Sequence, residues 1–336
     1  MAYASGDTIL DDHYNIFVQG GASADDHNVA NVNTIWGAGA TGDKGYGQSG
    51  DLSTVSAGTT ITATQWVNLL NRVSTIANHQ GTSITAISNP TTGDTISAYT
   101  ALSGNISSIF TNRKNCASAG TDITAGGTSS GTNTWRDLQT TTFTVSFASA
   151  NQARYFFNAG GRISLSFSRS GGTVSSKNTG WTNLCTACGT LYFSGGSGTA
   201  TIAGGSYTGT NKSGGSGTTT TLATTTGWYD LTTSYVEVFK QYDSTYLYTA
   251  NYIKVEVARN STSTQYLVKV SFVDAADSTG WADGTFNDGG AQLDETIDGT
   301  LTATMTLKPP ATTYLSSASW GTPTMSATAM GGDTYS

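Results

Sequence analysis

The first third of the chain contains one stretch in which apolar residues recur with the period of an α-helix. It runs ITATQWVNLLNRVSTIANHQG, from Ile61 to Gly81. The apolar positions, which follow the i, i+3, i+4 spacing of one helical face, are Trp66, Leu69, Leu70, Val73, Ile76 and Ala77. Thr62 and Gln65 have the spacing of a capping box, and Gly81 suits a C-terminal stop. The pattern therefore predicts a capped helix.

Two shorter stretches upstream, Thr8 to Val18 and Val29 to Ile35, carry weaker helical patterns. The segment that follows them, Trp36 to Asp51, is so rich in glycine that it requires tight loops. We therefore expect a small helical module in the N-terminal third of the chain.

From about Trp135 the apolar residues recur with a period of two. The alternating segments are 141–147, 163–167, 236–239, 253–257, 267–273 and 301–307. Gly, Asn and Ser turns separate them, and Pro309-Pro310 ends the last clear segment. This pattern predicts an antiparallel β-sandwich.

The predicted fold is thus mainly β, with a β-sandwich preceded by a helical module. The predicted regions are a helical N-terminal module at 1–110, a linker at 111–134, the sandwich at 135–310 and a C-terminal tail at 311–336. Residues 195–227, nearly pure Gly, Ser, Thr and Ala, allow two interpretations. They form either a flexible insertion or a β-hairpin of small residues packed on a neighbour.

Composition narrows the classes of function. Only 11% of residues are charged, and the net charge is −7. The 15 Lys and Arg form no basic cluster, which argues against nucleic-acid binding. The apolar runs are too short to insert into a membrane, and no secretory signal pattern opens the chain. With 41 Gly, 39 Ser, 60 Thr and 10% aromatic residues, the composition indicates a folded polar β protein.

Few residues suit catalysis or metal binding. Cys185 and Cys188 form a C-x-x-C, but only Cys116 remains as a further thiol, and the three histidines are distant in sequence: His13, His27 and His79. A zinc site usually needs two such pairs, so two packed thiols or a local disulfide are favoured over zinc or redox chemistry. No motif of a hydrolase, metalloprotease or nucleotide-binding loop is present. We therefore predict no enzyme activity, catalytic residue, cofactor or metal.

One acidic stretch suggests calcium. Its oxygen-bearing side chains are Asp274, Asp277, Asp283, Asn287 and Asp288. Calcium takes six to eight oxygen ligands, but the spacing is not that of an EF-hand. Turns stabilised by Asp and Asn side chains are the favoured interpretation.

Tryptophans recur in a similar context, Trp-x-Asp/Asn-Leu-x-Thr, at Trp135, Trp181 and Trp228. The simpler interpretation is that each packs at the beginning of a strand. The alternative is that these residues and Trp281 are exposed and contact a sugar or a protein.

Three segments resemble uncharacterised virion structural proteins of tailed bacteriophages, in particular those of cyanophages and marine phages. The segments are GAGATGDKGYGQ, TVSAGTTITATQWVNLLNRVSTIANHQGT and the Ala153–Gly172 segment ARYFFNAGGRISLSFSRSGG, which looks like the strand-turn-strand of those proteins. They cover about a third of the chain. The resemblance implies localisation in the virion and carries no catalytic residues.

The combined expectation is a non-enzymatic virion structural protein, a tail, neck or fibre appendage built by homo-oligomerisation, with a homotrimer favoured. The alternatives are a capsid decoration protein and a carbohydrate-binding adhesion module. Partners are then other copies of the chain, other virion proteins and, for the adhesion module, a host surface glycan. The candidate anchor is the helix face that carries Trp66, Leu69, Leu70, Val73 and Ile76, unless that face packs internally.

Overall fold

The computed structural model describes residues 11–21, 27–91, 98–245, 248–275 and 296–332. The helices are α1 (Asp11–Gln19), α2 (Val32–Trp36), α3 (Ala63–Gln80), α4 (Tyr99–Thr111), α5 (Ala150–Asn158) and α6 (Ser176–Ala187). The strands are β1 (Thr128–Gly131), β2 (Leu138–Ser146), β3 (Arg162–Ser170), β4 (Thr190–Phe193), β5 (Ala200–Ile202), β6 (Gly205–Tyr207), β7 (Thr210–Ser213), β8 (Thr219–Leu222), β9 (Val236–Tyr242), β10 (Tyr252–Arg259), β11 (Gln265–Val273), β12 (Thr300–Lys308), β13 (Thr324–Ala327) and β14 (Gly331–Gly332). The protein is therefore mainly β, as predicted, and its first four helices precede the first strand.

The strands form two main antiparallel sheets in a sandwich-like arrangement. One sheet has the order β1-β12-β3-β4-β7, and the other has β13-β2-β11-β10-β9-β8, with β14 also paired to β2. Aromatic side chains of the two sheets meet between them. The ring centroids of Phe167 on β3 and Phe272 on β11 lie 5.7 Å apart, and those of Phe193 on β4 and Tyr266 on β11 lie 5.9 Å apart. Five of the six segments predicted from period two lie wholly within a strand, and the sixth, 141–147, extends one residue beyond the end of β2.

The helix predicted between Thr62 and Gly81 is confirmed as α3. The Thr62 hydroxyl accepts a hydrogen bond from the Gln65 backbone amide, and the Gln65 side chain accepts one from the Thr62 amide. Gly81 adopts a left-handed conformation with φ of 69°, which ends the helix without a steric penalty. Within the described residues, α1 and α2 correspond to the two weaker helical patterns.

The spacing of apolar residues in the sequence does not predict α4, although nearly all of this helix lies in the predicted helical module. Half of its residues are Ser, Thr, Gly or Asn, and no side chain caps its beginning. Leu102, Ile106 and Ile109 are nevertheless fully buried on one face, and α4 packs against α3. Tertiary packing therefore stabilises a helix that local propensity does not favour.

The predicted linker and C-terminal tail belong to the sandwich, so these two expectations are wrong. The linker contains β1, which pairs with β12, and Ile123 forms a β-bridge with Leu307. The tail contains β13, whose Met325 lies opposite Val145 of β2. Both segments supply edge strands, and their pairing partners lie far away in the sequence.

Two helices, α5 and α6, lie within the region predicted as a sandwich. The segment from Ala153 to Gly172, expected to be strand-turn-strand, is the end of α5, a turn and β3. The Ser149 hydroxyl caps α5 by accepting from the Gln152 amide, and Ala153, Phe156 and Phe157 are buried. The i, i+3, i+4 spacing of these three residues is helical, so the sequence contained the signal.

The Gly/Ser/Thr segment at 195–227 is built into the fold rather than inserted flexibly. It contains the β5–β6 hairpin, β7 beside β4 and β8 beside β9. The hairpin also packs on its own chain, because Ile202 forms a β-bridge with Cys116. The small side chains thus extend both main sheets.

The helical module and the sandwich share one hydrophobic core, which extends from Tyr14 in α1 to Met330 beside β14. Asn158 at the end of α5 joins them: its amide donates to the backbone oxygens of Lys44 and Gly45, and it accepts from the Tyr229 hydroxyl. The glycine-rich loop at 36–51 therefore lies directly on α5. The helical module and the sandwich therefore pack directly against each other within the described residues.

Candidate contact surface on the seven-stranded sheet

The three described tryptophans predicted as exposed contacts are buried. Trp135, Trp181 and Trp228 are only 2%, 0% and 3% exposed, and Trp281 lies outside the described residues. The ring centroids of Trp135 and Trp181 lie 5.0 Å apart, and Trp228 stacks on Phe157. The expectation of exposed rings is therefore wrong for these three residues. Trp181 lies within α6 and Trp228 in a 3₁₀ turn, so two of them do not begin a strand either.

The candidate anchor face of α3 packs internally. Trp66, Leu69, Val73 and Ile76 are buried, and Leu70 is half-buried against the same core. Phe17 of α1 contacts the Trp66 ring edge-to-face, with a centroid distance of 6.5 Å. This face is therefore not available to a second protein, and the internal alternative is correct.

The cysteines of the C-x-x-C pair and His79 are buried within the fold. Cys185 and Cys188 are buried free thiols rather than a disulfide. Burial raises the pKa of Cys185 to about 12, which keeps this thiol protonated and unreactive. Burial also lowers the pKa of His79 from 6.5 to about 4, and its Nε2 lies 3.1 Å from the Ala159 carbonyl oxygen. No cluster of three or more His, Cys, Asp and Glu side chains occurs within the described ranges.

The suggested calcium stretch lies mostly outside the described residues. Asp277, Asp283, Asn287 and Asp288 fall in that gap. Asp274 precedes it at the end of β11 and is fully buried, where it forms an ion pair with Lys177.

An exposed tyrosine and a half-buried one occur instead on the outer face of the seven-stranded sheet. Tyr242 of β9 is 37% exposed and lies opposite Tyr252 of β10, with ring centroids 5.2 Å apart. The ammonium of Lys240 lies 4.0 Å from the Tyr252 ring centroid and 4.8 Å from that of Tyr242. A hydrogen bond with the Tyr242 side chain raises the pKa of Lys240, so this lysine remains a cation.

A row of charges continues the same face. Lys240 lies directly opposite Lys254, and like charges opposite each other destabilise a sheet. Glu256 lies 3.2 Å from the Lys254 ammonium and 3.5 Å from that of Lys269 on β11, which offsets part of this repulsion. We call these five side chains, Lys240, Tyr242, Tyr252, Lys254 and Lys269, the tyrosine–lysine face.

The tyrosine–lysine face combines aromatic rings with charged donors, which are groups that suit the binding of a ligand. Two phenol rings provide stacking surfaces, and three ammonium groups provide charged donors on three adjacent strands. The sequence analysis missed it because the apolar half of each alternating strand was used to predict the core. Tyr252 and Lys254 are the outward half of the same alternation in β10, whose Ile253 and Val255 point inward.

None of the helices in the described ranges combines the length and the apolar character needed to cross a membrane.

Comparisons with protein-family models, with curated proteins and with solved structures gave no match to this chain.

Proposed function

We propose that the protein is a non-enzymatic structural component of a bacteriophage virion, a tail, neck or fibre appendage that assembles as a homo-oligomer. The three segments that resemble phage virion proteins support the location. The observation that carries the structural role is the continuous core from Tyr14 to Met330, which joins helices, both sheets and the C-terminal strands. The side chains suited to contact lie outside this core, on the tyrosine–lysine face.

Assembly and attachment then depend on exposed loops and sheet faces. The apolar stripe of α3 is occupied within the chain, so attachment of the N-terminal region uses the loops around it. A trimer is the favoured state, by analogy with fibrous viral appendages. Mass photometry at micromolar concentration tests this part: we expect a defined oligomer, and a stable monomer would contradict it.

The location is tested by finding the chain in purified particles. Quantitative mass spectrometry against the major capsid protein gives its copy number, and electron microscopy of particles with a tagged chain gives its position. A few dozen copies at the neck or tail support an appendage. Hundreds of copies over the head indicate a capsid decoration protein instead, and absence from the particle refutes both.

A second candidate function, adhesion to a host surface glycan, is favoured by the tyrosine–lysine face. Sugars stack on exposed aromatic rings, and the lysines favour an acidic glycan. Glycan arrays probed with the wild type and with Tyr242→Ala and Tyr252→Ala test this function. Tyr314→Ala is the matched control, because Tyr314 is more exposed, at 43% against 37% for Tyr242, but lies outside the face. Binding that both face variants lose and the control keeps supports adhesion; equal binding by all proteins contradicts it.

A further inference from the structure

A lysine and an aspartate meet inside the protein with no exposure to solvent. Lys177 lies in the first turn of α6, and Asp274 directly follows β11. Both side chains are 0% exposed, and the distance from Lys177 Nζ to Asp274 Oδ2 is 2.6 Å. A fully buried ion pair is costly to form, because neither charge retains its hydration shell.

The surroundings of the pair are largely aromatic. The Lys177 ammonium lies 5.9 Å from the centroid of the buried Tyr248 ring. Trp181 is one helical turn beyond Lys177 and is 0% exposed, and its ring lies 6.3 Å from that of Phe272, two residues before Asp274. These aromatic rings and the absence of any solvent exposure exclude bulk water from the pair.

The backbone holds both partners in position. The Ser175 hydroxyl caps α6 by accepting from the Asn178 amide, which fixes the turn that carries Lys177. The Asp274 amide donates to the Asp137 carbonyl oxygen at 2.9 Å. The fold thus holds the ε-amine and the carboxyl group next to each other. Two reacting groups held in contact form a bond faster than groups that must first diffuse together.

We propose that Lys177 and Asp274 form an intramolecular isopeptide bond, an amide between Nζ and Cγ. A proton passes from the ammonium to the carboxylate, the neutral amine attacks Cγ, and a C–O bond breaks. One water molecule leaves, and the lysine nitrogen keeps one hydrogen. The step needs no oxidant, reductant or external reagent, because an ammonium and a carboxylate give an amide and water.

A second buried carboxyl group lies against the helix that carries Lys177. Asp243 is 5% exposed and packs against α6, where a Cβ on Gly180 would lie only 2.6 Å from Asp243 Oδ2. Lys177 and Gly180 are three residues apart and therefore share a helical face. Gly180 leaves room for the Asp243 carboxyl group on the face from which Lys177 extends. We assign to Asp243 the transfer of a proton to the departing oxygen.

The bond would connect α6, which packs on β3 of the five-stranded sheet, to β11 of the seven-stranded sheet. It closes a covalent loop from residue 177 to residue 274. A cross-link that closes a long loop stabilises a protein mainly by restricting the unfolded chain. The sandwich would then unfold at a higher temperature and a higher denaturant concentration than the same chain without the bond.

Intact-mass spectrometry of the purified protein under denaturing conditions tests the proposal directly. The expected mass is that of the sequence less one water molecule, and digestion should give a branched peptide that joins Lys177 to Asp274. A mass equal to that of the full sequence, with tryptic cleavage after Lys177, would overturn the proposal and leave the pair as an ion pair.

Four variants test the proposal and the roles of its residues. Lys177→Arg retains the cation but presents no amine, so we expect the full sequence mass and a lower melting temperature. In Asp274→Asn the same attack releases ammonia, so the mass should fall by one ammonia rather than one water. Lys212→Arg, a change at a half-buried lysine outside the pair, should retain the loss of water. Asp243→Asn should leave most of the protein without the cross-link; complete cross-linking in that variant would refute its role in proton transfer.

Discussion

Replacing Trp66 by alanine tests whether the helical module and the sandwich unfold together. The indole is 0% exposed, and it contacts Phe17 within the shared core. Removal of a fully buried tryptophan side chain costs about 3–5 kcal/mol of unfolding free energy. Because the core is continuous and Asn158 joins the glycine-rich loop to α5, we expect the loss to lower the stability of the whole described unit.

The assay is hydrogen exchange followed by mass spectrometry over a series of urea concentrations. In Trp66→Ala, the amides of α3 and of β2 should lose protection at the same urea concentration, which should be lower than in the wild type. Trp66→Phe is the matched control. It keeps an aromatic ring and removes the indole Nε1, which has no hydrogen-bond partner among the described residues. Its loss of stability should be much smaller.

Separate loss of protection in the two regions would contradict this prediction. If α3 loses protection at low urea while β2 remains protected, the helical module is an independent unit, as the predicted boundary near residue 110 implies. The reasoning from the shared core would then be refuted.

Three further predictions concern buried polar groups. Burial lowers the pKa of His79 from 6.5 to about 4, so between these values the unfolded chain binds a proton that the folded chain does not. Stability should therefore be about 2 kcal/mol lower near pH 5 than near pH 8. His79→Gln, which keeps a donor for the Ala159 carbonyl, should remove that difference in urea titrations, and an unchanged pH dependence would contradict the assignment. Burial raises the pKa of Cys185 to about 12, so a thiol reagent such as DTNB should label the protein only after unfolding; rapid labelling of the native protein at neutral pH would be inconsistent with the packed thiols. Asn158→Ala leaves the carbonyl oxygens of the glycine-rich loop and the Tyr229 hydroxyl without their partner. Thermal and urea unfolding should show a loss of about 3 kcal/mol, and a neutral effect would mean that water replaces these contacts.

Local patterns were sufficient wherever the residues that decide a structure are close in sequence. The α3 helix follows from its apolar spacing, from Thr62 and Gln65 at one end and from Gly81 at the other. The strands follow from strict alternation, because a strand with one face in the core exposes every second residue. These features identify the mainly β fold and the positions of its principal strands along the chain from the sequence alone.

Only the tertiary structure decided the domain boundaries and the exposure of the aromatic residues. β1 pairs with β12 across about 170 residues of chain, and β13 pairs with β2 across a similar separation, so the supposed linker and tail could not be recognised locally. A tryptophan has the same sequence signal whether it lies in a core or on a rim, and packing placed Trp135, Trp181 and Trp228 inside. The same applies to the pairs that matter most here. Tyr242 meets Tyr252, and Lys177 meets Asp274, because strand register and helix docking bring together residues that no sequence spacing connects.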